Sequence, residues 1–179
     1  MQASLRLEQP WRGLQESYRG LIAEIEAAGE RRVPFPLSYA FEDFDAMLAK
    51  LEGESRGVGL PDGFVPHSAF WLVRNGNEIV GVSSLRHRLN AKLLREGGNI
   101  GYGIRPSARR QGFGREILKQ TLSRARDVGL ARVLVTCGKG NVGSARIIVG
   151  NGGAFESEEF IEERNEIVQR YWIELEKAS

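Results

Sequence analysis

The chain has 179 residues, 41% apolar and 27% charged, with 25 Lys and Arg against 23 Asp and Glu. That length suits one domain burying roughly 70% of its unfolded surface, and the composition argues against disorder and against a membrane protein, since no run approaches the 18 or so apolar residues of a span. A net charge of +2 is too even to mark a nucleic-acid binder, and the single cysteine, Cys137, cannot make an internal disulfide, which fits a reducing cytoplasm.

Charge scattered from Met1 to Glu8 argues against a secretory signal. A short strand is expected over Ser4 to Gln9, ended by Pro10. Leu14, Tyr18, Leu21, Ile22 and Ile25 recur at helical spacing, and Gly29 closes that helix. Phe41, Phe44, Met47, Leu48 and Leu51 mark a second amphipathic helix. Gly53 to Pro66, with four glycines and two prolines, reads as a long loop of the kind that binds ligands or covers a site. Ala69 to Val73 and Ile79 to Arg86 are two strands joined by Asn75-Gly76, a strong hairpin signal. Asn90 to Glu96 suits a helical turn. Asn99 to Arg105 is the next strand, with Ile100, Tyr102 and Ile104 on one face and Gly101 and Gly103 on the other. Pro106 ends it. Phe113, Ile117, Leu118, Leu122, Ala125 and Val128 then share one helical face, closed by Gly129. Val133 to Cys137 is continuously apolar, as a strand covered on both faces should be. A shorter helix over Asn141 to Gly150 and strands over Phe155 to Ile161 and Ile167 to Leu175 complete the chain. Helices, an antiparallel meander and then alternating elements point to a mixed α/β sheet in one domain, residues 1–179.

The segment Ile100 to Arg115 runs from strand through a tight turn into a helix N-terminus. The first N–H groups of a helix lack intrahelical partners, and the helix dipole adds partial positive charge there. Gly112 and Gly114 remove side chains that would keep a phosphate away, and Arg109, Arg110 and Arg115 add full charges. Together they make a pyrophosphate site. A solvated, salt-bridged face is the plainer reading of the same arginines. A Walker loop is not matched: Gly138-Lys139-Gly140 lacks the upstream glycine and the following hydroxyl. His67, His87 and Cys137 have no metal-ligand spacing, so no metal is expected.

Arg109-Arg110-Gln111-Gly112-Phe113-Gly114 has the spacing Arg-x-x-Gly-x-Gly, and it resembles the pyrophosphate loop of the GNAT N-acetyltransferase superfamily. Ile104-Arg105-Pro106 before it, Asn141-Val142-Gly143-Ser144 after the next strand, and Asn151 to Phe155 continue the resemblance over residues 68–175. The resemblance implies a mixed, mostly antiparallel α/β sheet of six to seven strands flanked by helices, with a splay between the fourth and fifth strands. It implies acetyl-CoA as acyl donor, a cytoplasmic enzyme, and direct attack by a primary amine, of a small molecule or a peptide, in a ternary complex. Dimers are common in the family, so a second copy of the chain is a candidate partner, although the sequence itself does not fix the oligomeric state. Residues 1–67 would build the acceptor side and 68–175 the cofactor-binding core.

The expected cofactor contacts are Tyr102, Gly103, Ile104, Arg105, Arg109, Arg110, Gln111, Gly112, Phe113, Gly114, Arg115, Asn141 and Ser144. Gly101 and Gly103 suit close approach of a ligand to the strand. Asn141 also suits a helix N-cap. Ile148 stands where many family members carry a tyrosine acid, which leaves Tyr102, Ser144 or water as the substitute donor. His87, flanked by Arg86 and Arg88 that would keep it neutral, is the candidate base. Cys137 reads as a small hydrophobe. A sensor that binds acyl-CoA without turnover, and a nucleic-acid module using Arg105 to Arg115, are the alternatives.

Overall fold

The structure, a computed structural model, describes residues 4–175. In chain order it contains β1 (Leu5–Glu8), α1 (Gln15–Ala27), α2 (Phe44–Ser55), β2 (His67–Arg74), β3 (Glu78–Arg86), β4 (Ile100–Ile104), α3 (Phe113–Asp127), β5 (Arg132–Gly138), α4 (Val142–Gly150), β6 (Ala154–Ile161) and β7 (Glu166–Glu174). The strands form one seven-stranded sheet in the order β1-β2-β3-β4-β5-β7-β6. Neighbours are antiparallel except β4 and β5, which run parallel. None of the described helices is long and apolar enough to cross a membrane.

The β2–β3 hairpin follows from its turn. Asn75 and Gly76 both hold positive φ, 52° and 76°, the backbone that matches the twist of two paired strands. Alternation along these strands then feeds two cores. Leu72, Val80 and Leu85 face α3 and α4 with Ile117, Leu118, Val133 and Val135. Trp71, Ile79 and Val82 face α1 and α2 with Tyr18, Ile22 and Met47. Each such side chain, fully withdrawn from water, contributes on the order of 2 kcal/mol. Ser83 points into the α3 side, where its hydroxyl bonds Thr121 at 2.8 Å, so this buried pair satisfies itself.

Two expectations change here. The second helix does not stop before Gly53 but runs through it to Ser55, with Asp43 capping its start at 3.0 Å from the Ala46 amide. Leu51 and Glu54 are both buried, and holding those contacts carries the helix past its glycine. The glycines of β4 are also used differently. A Cβ at Gly103 would lie 2.4 Å from the Val33 carbonyl oxygen, and one at Gly101 3.4 Å from Pro34. It is the chain's own Val33–Pro34 segment that approaches this face of β4.

The splay sits where the parallel pair begins. β4 and β5 share one registered pair, Ile100 with Val135. Asn99 clamps it: its amide donates to the Leu134 carbonyl at 2.7 Å and its Oδ1 accepts from the Leu134 amide at 2.8 Å. Past that clamp the ladder stops, leaving residues 101–104 without partners in β5.

Candidate active site

A cleft of about 720 Å³ opens on the α3–α4 side of the splay. Tyr102, Gly103 and Ile104 of β4, residues 112–115 at the start of α3, and Asn141, Gly143, Ser144 and Ile147 of the α4 entry line it. Gly112 is the N-cap of α3 in the left-handed region, φ 85°, and a Cβ there would meet open space. The amides of Gly112, Phe113 and Gly114 have no acceptor among the described residues. They form a row of free donors at the positive end of a 15-residue helix. Gly114 has a different task from the one expected. A Cβ there would lie 2.5 Å from Ile147, so this glycine lets α3 pack closely against α4.

The arginines divide into two groups. Arg105 turns away from the cleft: its Nε donates to Glu24 at 2.7 Å and its Nη1 to the Ile79 carbonyl at 3.3 Å. It clasps α1 to the sheet and is not among the residues that line the cleft, where a cofactor contact is expected of it. Arg109 lines the cleft but grips Glu30 through both terminal nitrogens, at 2.7 and 2.5 Å. That bond holds the Glu30 carboxyl below the usual carboxylate range. Gln111 also lies off the cleft, its amide on the Ser107 carbonyl at 3.3 Å. Arg110 and Arg115 line the cleft with no ion-pair partner among the described residues.

Asn141 performs the capping role read from sequence, its Oδ1 accepting from the Ser144 amide at 3.0 Å, while it faces the cleft. Tyr102 and Ser144 meet across the splay, hydroxyl to hydroxyl, at 2.8 Å. Burial pushes the Tyr102 phenol up to about 12, so it keeps its proton across the working pH range. Cys137 is buried beside them, and burial raises its thiol above the ordinary value, so it carries no thiolate. Ile148 is fully buried in the core and faces no ligand.

His87 lies just past β3 and lines neither this cleft nor the neighbouring cavity. Its Nε2 is hydrogen-bonded to the Ser68 hydroxyl at 2.9 Å. Its pKa is lowered by burial first and by nearby His67 second, not by the flanking arginines. The histidine that does line a cavity is His67, on the α1–α2 face of the sheet. Its Nδ1 lies 3.0 Å from the Val65 carbonyl and its Nε2 3.2 Å from a Glu54 oxygen. The same carboxylate accepts from the Tyr39 hydroxyl at 2.8 Å and pairs with Lys50 at 2.8 Å. Sequence reading missed this buried cluster. The available signal was the spacing of Glu54 behind Met47 and Leu51, which puts a carboxylate on the buried face of α2.

A profile of the acetyltransferase (GNAT) domain matches residues 20–153. The chain belongs to the GNAT acetyltransferase family. A search of curated proteins finds no match. Among solved structures, an acetyl transferase of Salmonella typhimurium is similar over 97% of this chain and 96% of its own, at 15% identity and TM-score 0.68; it modifies the N-terminal serine of a ribosomal subunit protein. RimL, a ribosomal α-N-protein acetyltransferase bound to coenzyme A, is similar at 16% identity and TM-score 0.70, covering 96% of this chain and 94% of its own. The spermidine N-acetyltransferase of Vibrio cholerae, a dodecamer, is similar at 16% identity and TM-score 0.64, covering 96% and 94%. The seven-stranded sheet with one parallel pair at the splay is the GNAT arrangement. A Salmonella typhimurium acetyltransferase structure with its cofactor acetyl-CoA is similar at 15% identity and TM-score 0.60, covering 98% of this chain and 96% of its own.

Proposed function

We propose that this GNAT protein transfers an acetyl group from acetyl-CoA to a primary amine, with its phosphates on the start of α3 and its thioester end at Tyr102 and Ser144. The observation that carries the reading is one cleft holding both a row of free helix amides beside unpaired Arg110 and Arg115, and a protonated hydroxyl pair at the splay. Acetyl-CoA supplies the activated acyl group, passed directly to the amine within a ternary complex. The amides of Gly112, Phe113 and Gly114 bind phosphate oxygens without reorganising, and Arg110 and Arg115 add charge. Asn141 and the unpaired edge of β4 orient the pantetheine arm. Tyr102 and Ile104 alternate with the residues of β4 that bond β3, so their backbone groups face the unpaired edge and can polarise a carbonyl.

Tyr102 and Ser144 hold the proton that a departing thiolate needs, and the bond between them lets the tyrosine refill the serine. Among the described residues the one carboxylate lining the cleft is Glu30, which Arg109 keeps ionised and occupied. Deprotonation of the amine therefore rests on its own pKa and on solvent. We infer a rate that climbs with pH toward the amine's pKa. Tyr102 adds no falling limb below about pH 10, because a phenol at about 12 loses its proton only above that range.

Free thiol release from acetyl-CoA with a panel of amines tests the reading. Turnover with any amine above the hydrolysis background supports an enzyme. Tight acetyl-CoA binding with no amine-dependent thiol release indicates a sensor.

A further inference from the structure

A second cavity, of about 180 Å³, lies on the α1–α2 face and has no part in the reading above. Phe35, Phe64, Val65 and Leu93 give it apolar walls, with the two phenyl rings 5.2 Å apart. Arg86 and Lys92 line it, and no Asp or Glu does. Ser84 forms part of it and pairs in register with Gly101, the residue before Tyr102. The cavity therefore adjoins the splay from the face opposite the cleft.

Arg86 is the informative residue. It is half-buried at the end of β3, and its Nη1 donates to the carbonyls of Gly97 and Gly98 at 3.0 and 3.1 Å. Its Nε and Nη2 have no acceptor, and it holds no carboxylate, among the described residues. Burial alone lowers its pKa, with no anion to oppose the effect. The other half-buried arginines are paired: Arg32 with Glu26, Arg74 with Glu78, Arg105 with Glu24, Arg170 with Glu156 and Glu159. Withdrawing a guanidinium from water without an anion is unfavourable, and its planar fork fits a carboxylate.

We propose that this cavity holds the non-reacting part of the acceptor, with a carboxylate on Arg86 and an apolar group between Phe35 and Phe64. The acceptor is then an amine of amino-acid type. A polyamine would set further cations against Arg86 and Lys92, with no acid among the residues that line the cavity to receive them. This assignment rests on the acetyltransferase reading, and the experiment separates the two.

The full chain is titrated calorimetrically, first with acetyl-CoA alone. With coenzyme A present, it is then titrated with L-valine, L-leucine, L-methionine and L-phenylalanine, each beside its decarboxylated amine, and with spermidine. At least one amino acid should bind about tenfold or more tighter than its amine, the size of one charge-assisted contact. Arg86→Gln should remove the difference. If that variant fails to fold, Lys92→Glu, at an exposed position, should still cut it several-fold. Equal affinity within every pair, preference for the amines or spermidine, or no amino-acid binding overturns the acceptor assignment while acetyl-CoA still binds. Failure of acetyl-CoA to bind overturns the acetyltransferase reading instead.

Discussion

The two faces of the sheet are built by different means. On the α3–α4 face the cleft is mostly backbone: free amides at Gly112 to Gly114, the unpaired edge of β4, and a helix cap at Asn141. On the α1–α2 face the cavity is side chains that meet from distant elements: Phe35, Phe64, His67 and Arg86, with Glu54 behind. A backbone site needs particular residues in sequence, such as a glycine at φ 85° beside a helix start, and so leaves a local motif. A side-chain site needs only that the fold bring its parts together, and leaves none. The first kind can serve one cofactor across many relatives, and the second can change with the acceptor.

The largest expected effect breaks the cleft alone. Tyr102→Phe combined with Ser144→Ala removes both hydroxyls at the splay and should lower kcat about 10²-fold with the KM for acetyl-CoA little changed. Either single variant should lose less, since the partner hydroxyl remains. A double variant with wild-type kcat would mean that positioning alone carries the reaction.

Next comes a variant on the other face. Glu54→Ala leaves buried His67 and half-buried Tyr39 without their carboxylate and should cost about 3 kcal/mol, read as a lowered midpoint in denaturant. Its acetyl-CoA affinity should hold in the folded protein, because the cleft shares no residue with that cluster. A stable variant with weakened cofactor binding would contradict the independence of the two faces.

Asn141→Ser keeps a capping side chain and should weaken acetyl-CoA several-fold in a titration, with an unchanged melting temperature. Unaltered affinity would leave Asn141 a cap and nothing more. The smallest effect is expected at His87. Since it lies outside both the cleft and the cavity, His87→Ala should change kcat/KM less than about threefold across the pH profile. A loss of about 10²-fold confined to low pH would restore it as the base.

Local rules reach only as far as the partners of a residue lie close in sequence. The hairpin at Asn75-Gly76, the start of α3 and the cap of α4 were legible because each depends on residues within one turn. Arg105 was not: charge crowded around residue 109 says nothing about which arginine turns inward, and Glu24, 81 positions away, decides it. Gly101 and Gly103 suit the close approach of a ligand by sequence, and the group that approaches them in the structure is Val33–Pro34. Glu54 and His67 stand 13 positions apart on a helix and a strand, and only the packing of α2 on β2 makes them partners.

The central claim is that the start of α3 holds the phosphates of acetyl-CoA. The most direct measurement is a calorimetric titration of acetyl-CoA into the native chain and into Gly112→Glu. The native chain should bind, and the variant should show no detectable heat, because it places a carboxylate among the free amides at the left-handed cap. The variant's melting temperature without ligand, compared with Gly112→Ala, reports the backbone strain separately. Undiminished binding by a folded Gly112→Glu protein would contradict the account.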